Sequence, residues 1–175
     1  MRDYFLTTDR IGFSVWTDAD LELASSLWGN PTVSHFMNTT GHFSEEDIKA
    51  RLQTETSNYQ KYGLQYYPIF RLSDGLFLGC CGYCPHDLPN AVYELGCHLL
   101  PEFWGQGYAY EACKAAAEYG FREKPIKKIL IRHHPKNIRS QHLIAHLGAT
   151  PIGTTVYPPT GLNHPTYIIL PTTKQ

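Results

Sequence analysis

The segment of this sequence best suited to hold a ligand is the run Trp104-Gly105-Gln106-Gly107-Tyr108-Ala109. Gly105 and Gly107 have no Cβ, so the backbone can turn sharply there and approach a ligand closely. The run precedes residues with helical spacing, and the first amides of a helix are unpaired and carry partial positive charge. It therefore predicts a phosphate or pyrophosphate site, with a ligand-free turn between strand and helix as the alternative.

Two other phosphate-binding motifs do not fit this run. A dinucleotide fingerprint requires three spaced glycines and an acidic residue on the next strand, and a nucleotide P-loop requires Gly-Lys followed by Ser or Thr. The sequence has neither pattern here. Both kinds of nucleotide site are therefore set aside.

The segments around the run predict the elements that position it. Apolar runs bounded by turn residues predict strands at 10–17, 66–72, 76–83, 91–100, 128–132, 151–157 and 165–170. Apolar residues three or four apart predict helices that begin near Asp18, Ser44, Tyr108 and Asn137. The helix after the fourth strand predicts a parallel crossover to the fifth, among antiparallel neighbours. The expected fold is a mixed α/β sheet with helices on both faces.

Local signals predict where several of these elements end. Ser44 followed by Asp47 resembles a capping box, with Asp in the usual place of Glu or Gln. Gly63 and Gly148 are expected to end the helices that precede them. Ser73-Asp74-Gly75 predicts a hairpin turn between the second and third strands.

The composition predicts one globular domain, residues 1–175, with 42% hydrophobic and 18% charged residues. The net charge of −1 gives no general attraction for nucleic acid or an anionic membrane. No stretch reaches the roughly 20 apolar residues of a membrane span, and the N-terminus does not resemble a signal peptide. Five cysteines form no secreted disulfide framework, so a cytoplasmic location is expected.

Three motifs in register resemble one known family. The run at 104–112 resembles the acetyl-coenzyme A loop of the GNAT acetyltransferase superfamily, in its branch of ribosomal-protein N-terminal acetyltransferases. Asn137-Ile138-Arg139-Ser140, followed by Leu143 and Leu147-Gly148, is similar to that branch's second cofactor motif. The opening of the chain is similar to the branch's first strand and helix at Thr8, Arg10, Trp16, Asp20, Asn30, Pro31 and Val33. The resemblance implies a mostly antiparallel central sheet of about seven strands.

The resemblance also implies direct transfer of an acetyl group from acetyl-coenzyme A to a primary amine in a ternary complex, without a metal. It implies a set of cofactor-binding residues: His98, Leu99, Leu100, Trp104, Gly105, Gln106, Gly107, Tyr108, Ala109, Asn137, Arg139 and Ser140. The amides of 105–109 would hold the pyrophosphate. The strand at 94–100 and Asn137 would contact the pantetheine arm.

Three side chains are implied to take part in catalysis. Glu94 is expected to accept a proton from the amine, which is mostly protonated at neutral pH. His98, on the same face of the strand, is the second candidate base, and Gly96 between them is expected to leave room for the acyl group or acceptor. Ser140 is expected near the sulfur, where it would assist departure of the thiolate. The alternatives are a salt-bridged carboxylate for Glu94, a packing role for His98 and an ordinary first-turn serine for Ser140.

The acceptor amine is left open by the sequence. The resemblance implies a protein N-terminus first, with a small-molecule amine (aminoglycoside, polyamine or amino acid) as the alternative. A non-catalytic acyl-coenzyme A-binding module is a third hypothesis. The acceptor site is expected between the first two helices and the last hairpin, a region rich in aromatic residues: Trp28, Phe36, Tyr59, Tyr62 and Tyr157. No nucleic-acid or membrane partner is expected, and a homodimer is compatible with an aromatic groove.

The cysteines and histidines do not have the spacing of a metal site. Cys80, Cys81 and Cys84 have no second pair of ligands to complete a zinc site, and neighbouring residues of a strand point to opposite faces. Core packing is the prediction for these thiols. His133 and His134 are expected to mark the end of a strand.

Overall fold

The computed structural model describes residues 2–171, which form five α-helices and eight strands. The helices are α1 (Leu21–Trp28), α2 (Pro31–Ser34), α3 (Glu45–Tyr62), α4 (Tyr108–Glu123) and α5 (Ile138–His146). The strands are β1 (Leu6–Thr7), β2 (Ile11–Phe13), β3 (Tyr66–Arg71), β4 (Phe77–Asp87), β5 (Val92–Leu99), β6 (Lys128–Arg132), β7 (Thr150–Tyr157) and β8 (Leu162–Ile169). The ends of the predicted domain, residues 1 and 172–175, lie outside the described residues.

All eight strands belong to one sheet, in the order β1-β2-β3-β4-β5-β6-β8-β7. Strands β5 and β6 run parallel, with α4 as their crossover, and the other neighbouring strands are antiparallel. The predicted mixed, mostly antiparallel sheet is confirmed. The strand that the sequence did not predict is β1, which has two residues and is too short to show an alternating pattern.

The sheet has a helical layer on each face, as predicted. Strand β3 shows this, because its successive side chains alternate between the two faces. Tyr67 and Ile69 pack in a core that includes residues of α4 and α5. Tyr66 and Phe70 pack in a second core with residues of α1 and α3. In the described residues no helix combines the length and apolar character needed to cross a bilayer.

The predicted helix ends are mostly confirmed. Ser44 and Asp47 form the capping box of α3, and Gly63 ends that helix with φ of 66°. The prediction for Asp18 is wrong, because Thr17 and Asp20 form the box and a 3₁₀ turn at Asp18–Asp20 precedes α1. A box needs an acceptor three residues after the cap, and Asp20 supplies it for Thr17.

Candidate active site

Strands β5 and β6 separate in the middle of the sheet and leave an opening. They pair from Val92↔Lys128 to Glu94↔Leu130 and no further. On its other side β5 stays paired with β4 as far as Leu99. Within the described chain, the β6-side edge of β5 from Leu95 to Leu99 therefore has no strand partner. Backbone groups on such an edge can pair with an extended ligand.

A cavity of about 850 Å³ lies at this opening. One side of it is lined by the glycine loop before α4 and by α5, and the other side by residues around α2, α3, β3 and the β7–β8 hairpin. All the predicted cofactor-binding residues line this cavity except Leu100 and Gln106. The Leu100 amide donates to Leu78 O at 2.9 Å, and the Gln106 side chain donates to Glu102 O at 2.7 Å. Both are occupied in holding the loop.

The glycine loop presents a row of unpaired backbone donors. Gly105 and Gly107 have φ values of 72° and 82°, a left-handed conformation that favours glycine. The first backbone bond of α4 runs from the Glu111 amide to Gly107 O at 3.1 Å. From residue 105 to 110, no backbone N–H donates to another group of the described chain. These donors, at the positive end of α4, form the kind of site that binds phosphate groups.

Arg10 holds this loop from the neighbouring end of β2, a role that the sequence analysis did not assign. Its Nε donates to Glu111 Oε2 at 2.7 Å and its Nη1 donates to Gln106 O at 3.1 Å. Its guanidinium lies 4.4 Å above the centroid of the Tyr108 ring. Burial raises the pKa of Glu111, but hydrogen bonds from Thr8 and Arg10 outweigh it and leave that pKa below its usual value. The acid in the first turn of α4 is thus neutralised by Arg10.

An aromatic side chain, Trp104, and a cation, Arg139, cover the other side of the loop. Trp104 Nε1 donates to Leu99 O at 2.8 Å, which fixes the indole against the end of β5. The Arg139 guanidinium stacks 4.5 Å above the Trp104 ring. Arg139 is exposed and lines the cavity, so its charge is available to an anionic ligand.

Asn137 and Ser140 lie together at the start of α5. Asn137 Oδ1 accepts from the Ser140 amide at 3.1 Å, which caps the helix as predicted. The Ser140 hydroxyl makes no hydrogen bond within residues 2–171 and lines the cavity. It is therefore free to bind a ligand atom.

Glu94 is held in an ion pair at the point where β5 and β6 separate. Arg132 Nε donates to Glu94 Oε1 at 2.9 Å and Arg132 Nη2 to Glu94 Oε2 at 2.5 Å. Both side chains are about nine-tenths buried, with 12% and 11% exposed. The Glu94 carboxylate lines the cavity, and both of its oxygens accept from Arg132. Glu94 is therefore salt-bridged, which was the alternative expectation for this residue.

His98 lines the same cavity and is neutral. Trp28 Nε1 lies 3.4 Å from His98 Nδ1 and Cys80 Sγ lies 3.6 Å from it, so Nδ1 faces the interior. Burial, together with the charge of Arg51, lowers the pKa of His98 to about 3. A ring with such a pKa is a weak base at neutral pH.

The space expected above Gly96 is filled by Tyr66. A Cβ at Gly96 would lie 2.7 Å from the Tyr66 hydroxyl, so this glycine admits the tyrosine ring and not an acyl group. Phe36 and Tyr157, two of the aromatic residues expected around the acceptor site, line the cavity. Trp28, Tyr59 and Tyr62 do not line it. Tyr59 and Tyr62 pack instead towards the core that contains Tyr67.

Three cysteines far apart in the sequence meet in the core beside the cavity. The sulfur atoms of Cys81, Cys97 and Cys113 lie within 4.8 Å of one another as free thiols. Cys80 and Cys81 pack in opposite cores, as predicted from strand alternation. The sequence spacing did not reveal the cluster, because β4, β5 and α4 bring its members together.

The model of the acetyltransferase (GNAT) domain family matches residues 10–150. The chain belongs to the GNAT acetyltransferase family. It is similar to the Bacillus subtilis (strain 168) protein YkkB, at 30% identity over 145 residues, which cover 82% of this chain and 83% of YkkB. The predicted family and enzyme class are confirmed.

Solved structures of this family share the fold. A RimL ribosomal alpha-N-protein acetyltransferase in complex with coenzyme A aligns with a TM-score of 0.81 at 16% identity, over 96% of this chain and 98% of that one. A spermidine N-acetyltransferase from Vibrio cholerae, in complex with coenzyme A and spermine, aligns with a TM-score of 0.76 at 15% identity, over 93% and 96%. At these identities the two solved structures show that the fold is shared, and they say nothing about the acceptor of this chain.

Proposed function

We propose that this GNAT enzyme transfers the acetyl group of acetyl-coenzyme A directly to a primary amine bound in the 850 Å³ cavity. The observation that carries the proposal is the row of unpaired amides from 105 to 110, which lies beside the free edge of β5. The amides would hold the pyrophosphate, and the edge from Leu95 to Leu99 would pair with the pantetheine arm. The five cysteines among residues 2–171 are free thiols, which supports the predicted cytoplasmic location.

The chemistry of the site follows from the side chains around that edge. Acetyl-coenzyme A supplies an acyl thioester, whose carbonyl carbon the amine attacks while the C–S bond breaks. Glu94 is the proposed acceptor of the ammonium proton, directly or through water, because it is the one carboxylate among the described residues that line the cavity. The unpartnered Ser140 hydroxyl is proposed to donate a hydrogen bond to the leaving thiolate, which takes up the second proton that the nitrogen loses as the amide forms.

A protein N-terminus is the first candidate acceptor, because the sequence resembles the branch of ribosomal-protein N-terminal acetyltransferases. A small-molecule amine is the second candidate. The RimL enzyme and the spermidine acetyltransferase that share this fold represent the two classes. Arg51, Arg132, Lys136 and Arg139 line the cavity, and Glu94 is the one carboxylate among the described residues of its lining. An excess of cations repels a polyamine, which favours an acceptor with few positive charges.

Calorimetric titration with acetyl-coenzyme A tests the cofactor half of the proposal. We expect saturable 1:1 binding, followed by thiol release when primary amines are added. Coenzyme A and dephospho-coenzyme A are the matched control pair, and dephospho-coenzyme A should bind more weakly because Arg139 would lose an anionic partner. Absence of heat together with an unshifted melting temperature would show that the loop is only a turn.

Steady-state kinetics of two variants test the catalytic roles. Glu94→Gln is expected to lower kcat/KM about 100-fold, because positioned bases contribute about 10²–10⁴-fold. Ser140→Ala is expected to lower kcat about 10-fold with an unchanged Kd for acetyl-coenzyme A. Ser57→Ala, at an exposed position in α3, is the control for Ser140. A fully active Glu94→Gln enzyme would leave Glu94 only its ion pair with Arg132.

A further inference from the structure

We call the side of the cavity around α2, α3, β3 and the β7–β8 hairpin the acceptor half. Arg51 is a cation in this half, and its sequence pattern did not mark it as a site residue. It lies on α3 and lines the cavity on the Glu94 and His98 side of β5. Its guanidinium stands 4.7 Å above the Trp28 ring and 5.7 Å from the Tyr66 ring centroid. Stacking on aromatic faces holds a guanidinium plane in a fixed orientation. The charge is therefore presented to the cavity by a rigid support.

The one acidic neighbour of Arg51 within the described residues is a weak counter-ion. Glu55 Oε1 lies 3.9 Å from Arg51 Nη2, which is too far for a hydrogen bond. The other oxygen of Glu55 accepts from the Tyr66 amide at 2.8 Å. Burial raises the pKa of Glu55 to about 7 against the attraction of Arg51, so its carboxyl is about half protonated near neutral pH. Arg51 Nε is buried and has no partner within the described chain.

Arg132, the other cation on this side, is already neutralised. Glu94 accepts two hydrogen bonds from it, and no second carboxylate of the described chain lines the cavity. The acceptor half thus contains the ion pair between Glu94 and Arg132 and the guanidinium of Arg51, which lacks a bidentate partner. A planar guanidinium fork binds a carboxylate through two parallel hydrogen bonds.

We propose that Arg51 is the anion-binding residue of the acceptor site, and that the acceptor amine carries a carboxylate. This inference rests on the proposed function. The carboxylate belongs either to a free amino acid or to an acidic side chain beside a protein N-terminus. In both cases Arg51 binds the carboxylate while the amine faces the free edge of β5. Arg51 is a specificity-determining residue here and takes no part in proton transfer.

Matched pairs of probes that differ only in a carboxylate test the proposal. For the amino-acid source the pair is N-acetyl-L-phenylalanine and N-acetyl-L-phenylalaninamide. For the protein source the pair is an N-acetylated pentapeptide with Asp in its second position and the same peptide with Asn. Each probe is titrated calorimetrically into the protein saturated with coenzyme A, so the measurement needs no turnover. We expect the carboxylate member of one pair to bind at least 10-fold more tightly than its amide, and that pair identifies the source.

Three variants connect this preference to Arg51. Arg51→Gln is expected to reduce the ratio between carboxylate and amide to about one, while the Kd for coenzyme A stays within 2-fold. Arg51→Lys keeps the charge but loses the planar fork, so it should retain a ratio of about 3. Glu55→Gln removes the neighbouring acid and should keep or increase the ratio. Near-ultraviolet circular dichroism of each variant shows whether the aromatic packing around position 51 is intact.

The outcomes separate the two proposals. Equal binding of acids and amides in both pairs, or a carboxylate preference that persists in Arg51→Gln, overturns the role of Arg51. Thiol release from acetyl-coenzyme A with the parent amines is then measured as the test of the proposed function. A carboxylate preference that depends on Arg51, without thiol release from any amine, would reject acetyl transfer and keep the anion site.

Discussion

Replacing Gly107 with alanine is expected to weaken acetyl-coenzyme A binding about 30-fold. Gly107 has φ of 82°, where an L-residue costs about 1–2 kcal/mol. A Cβ there would lie 3.4 Å from Arg10 Nη2, in contact with the side chain that holds the loop. Relaxation of the backbone strain turns amides away from the pyrophosphate. Loss of one hydrogen bond to a charged group costs about 1.5–3 kcal/mol, and about 2 kcal/mol corresponds to the stated factor.

Gly161→Ala is the matched control for the Gly107 variant. Gly161 has φ of 68° and open space where its Cβ would be, so alanine adds the same kind of backbone strain without a contact. It precedes β8 and does not line the cavity. We expect both variants to lose about 1 kcal/mol of unfolding free energy in urea, while only the Gly107 variant loses affinity by calorimetry. Wild-type affinity in Gly107→Ala would contradict the assigned pyrophosphate site.

The second large effect is a fall in stability with rising pH, caused by Glu55. Burial raises the pKa of this carboxyl from 4.5 to about 7 in the folded protein, and its residue is 3% exposed. Below about pH 4.5 the group is protonated in both the folded and the unfolded chain. As the pH rises from 4.5 to 7 the unfolded chain loses this proton while the folded protein keeps it, so folding becomes less favourable. At about 1.4 kcal/mol per pKa unit, the unfolding free energy should fall by about 3 kcal/mol between pH 4.5 and 8.5.

Glu55→Gln should remove this dependence. Glutamine is neutral at every pH and keeps an oxygen that can accept from the Tyr66 amide. Urea unfolding at pH 4 and at pH 8.5 should therefore show nearly equal stability at the lower pH and a variant more stable by about 3 kcal/mol at the higher pH. Glu118→Gln, at an exposed position of α4, serves as the control and should follow the wild type. A Glu55 variant that is less stable than the wild type at pH 8.5 would show that the pair with Arg51 outweighs burial.

Local features of the sequence predicted most of the elements and the glycine loop of the proposed cofactor site. The Ser44 and Asp47 box, the turn at 73–75 and the glycines at 105 and 107 each act through residues within a few positions. Backbone φ preferences and caps operate at that range, so a single sequence is enough to read them. The succession of strand, glycine loop and helix in the sequence therefore predicted the unpaired amides of the loop.

The arrangement of charges in the proposed acceptor half was decided by tertiary structure. Glu94 and Arg132 are 38 positions apart and meet because β5 and β6 pair for three residues and then separate. Their pairing turned an isolated candidate base into half of an ion pair. No periodic pattern carries such information, because strand register and the angle between strands depend on packing of the whole sheet.

The same reason explains the residues that the sequence analysis did not single out. Arg51 was one of several cations on a polar helix, and its exposure to the cavity depends on how α3 packs against Trp28 and Tyr66. Cys97 and Cys113 join Cys81 only after α4 has packed on the sheet. The sequence by itself determined the family, most of the strands and helices, and the unpaired amides of the glycine loop. The tertiary structure decided which charges meet in the cavity, because contacts between distant elements form only when the core packs.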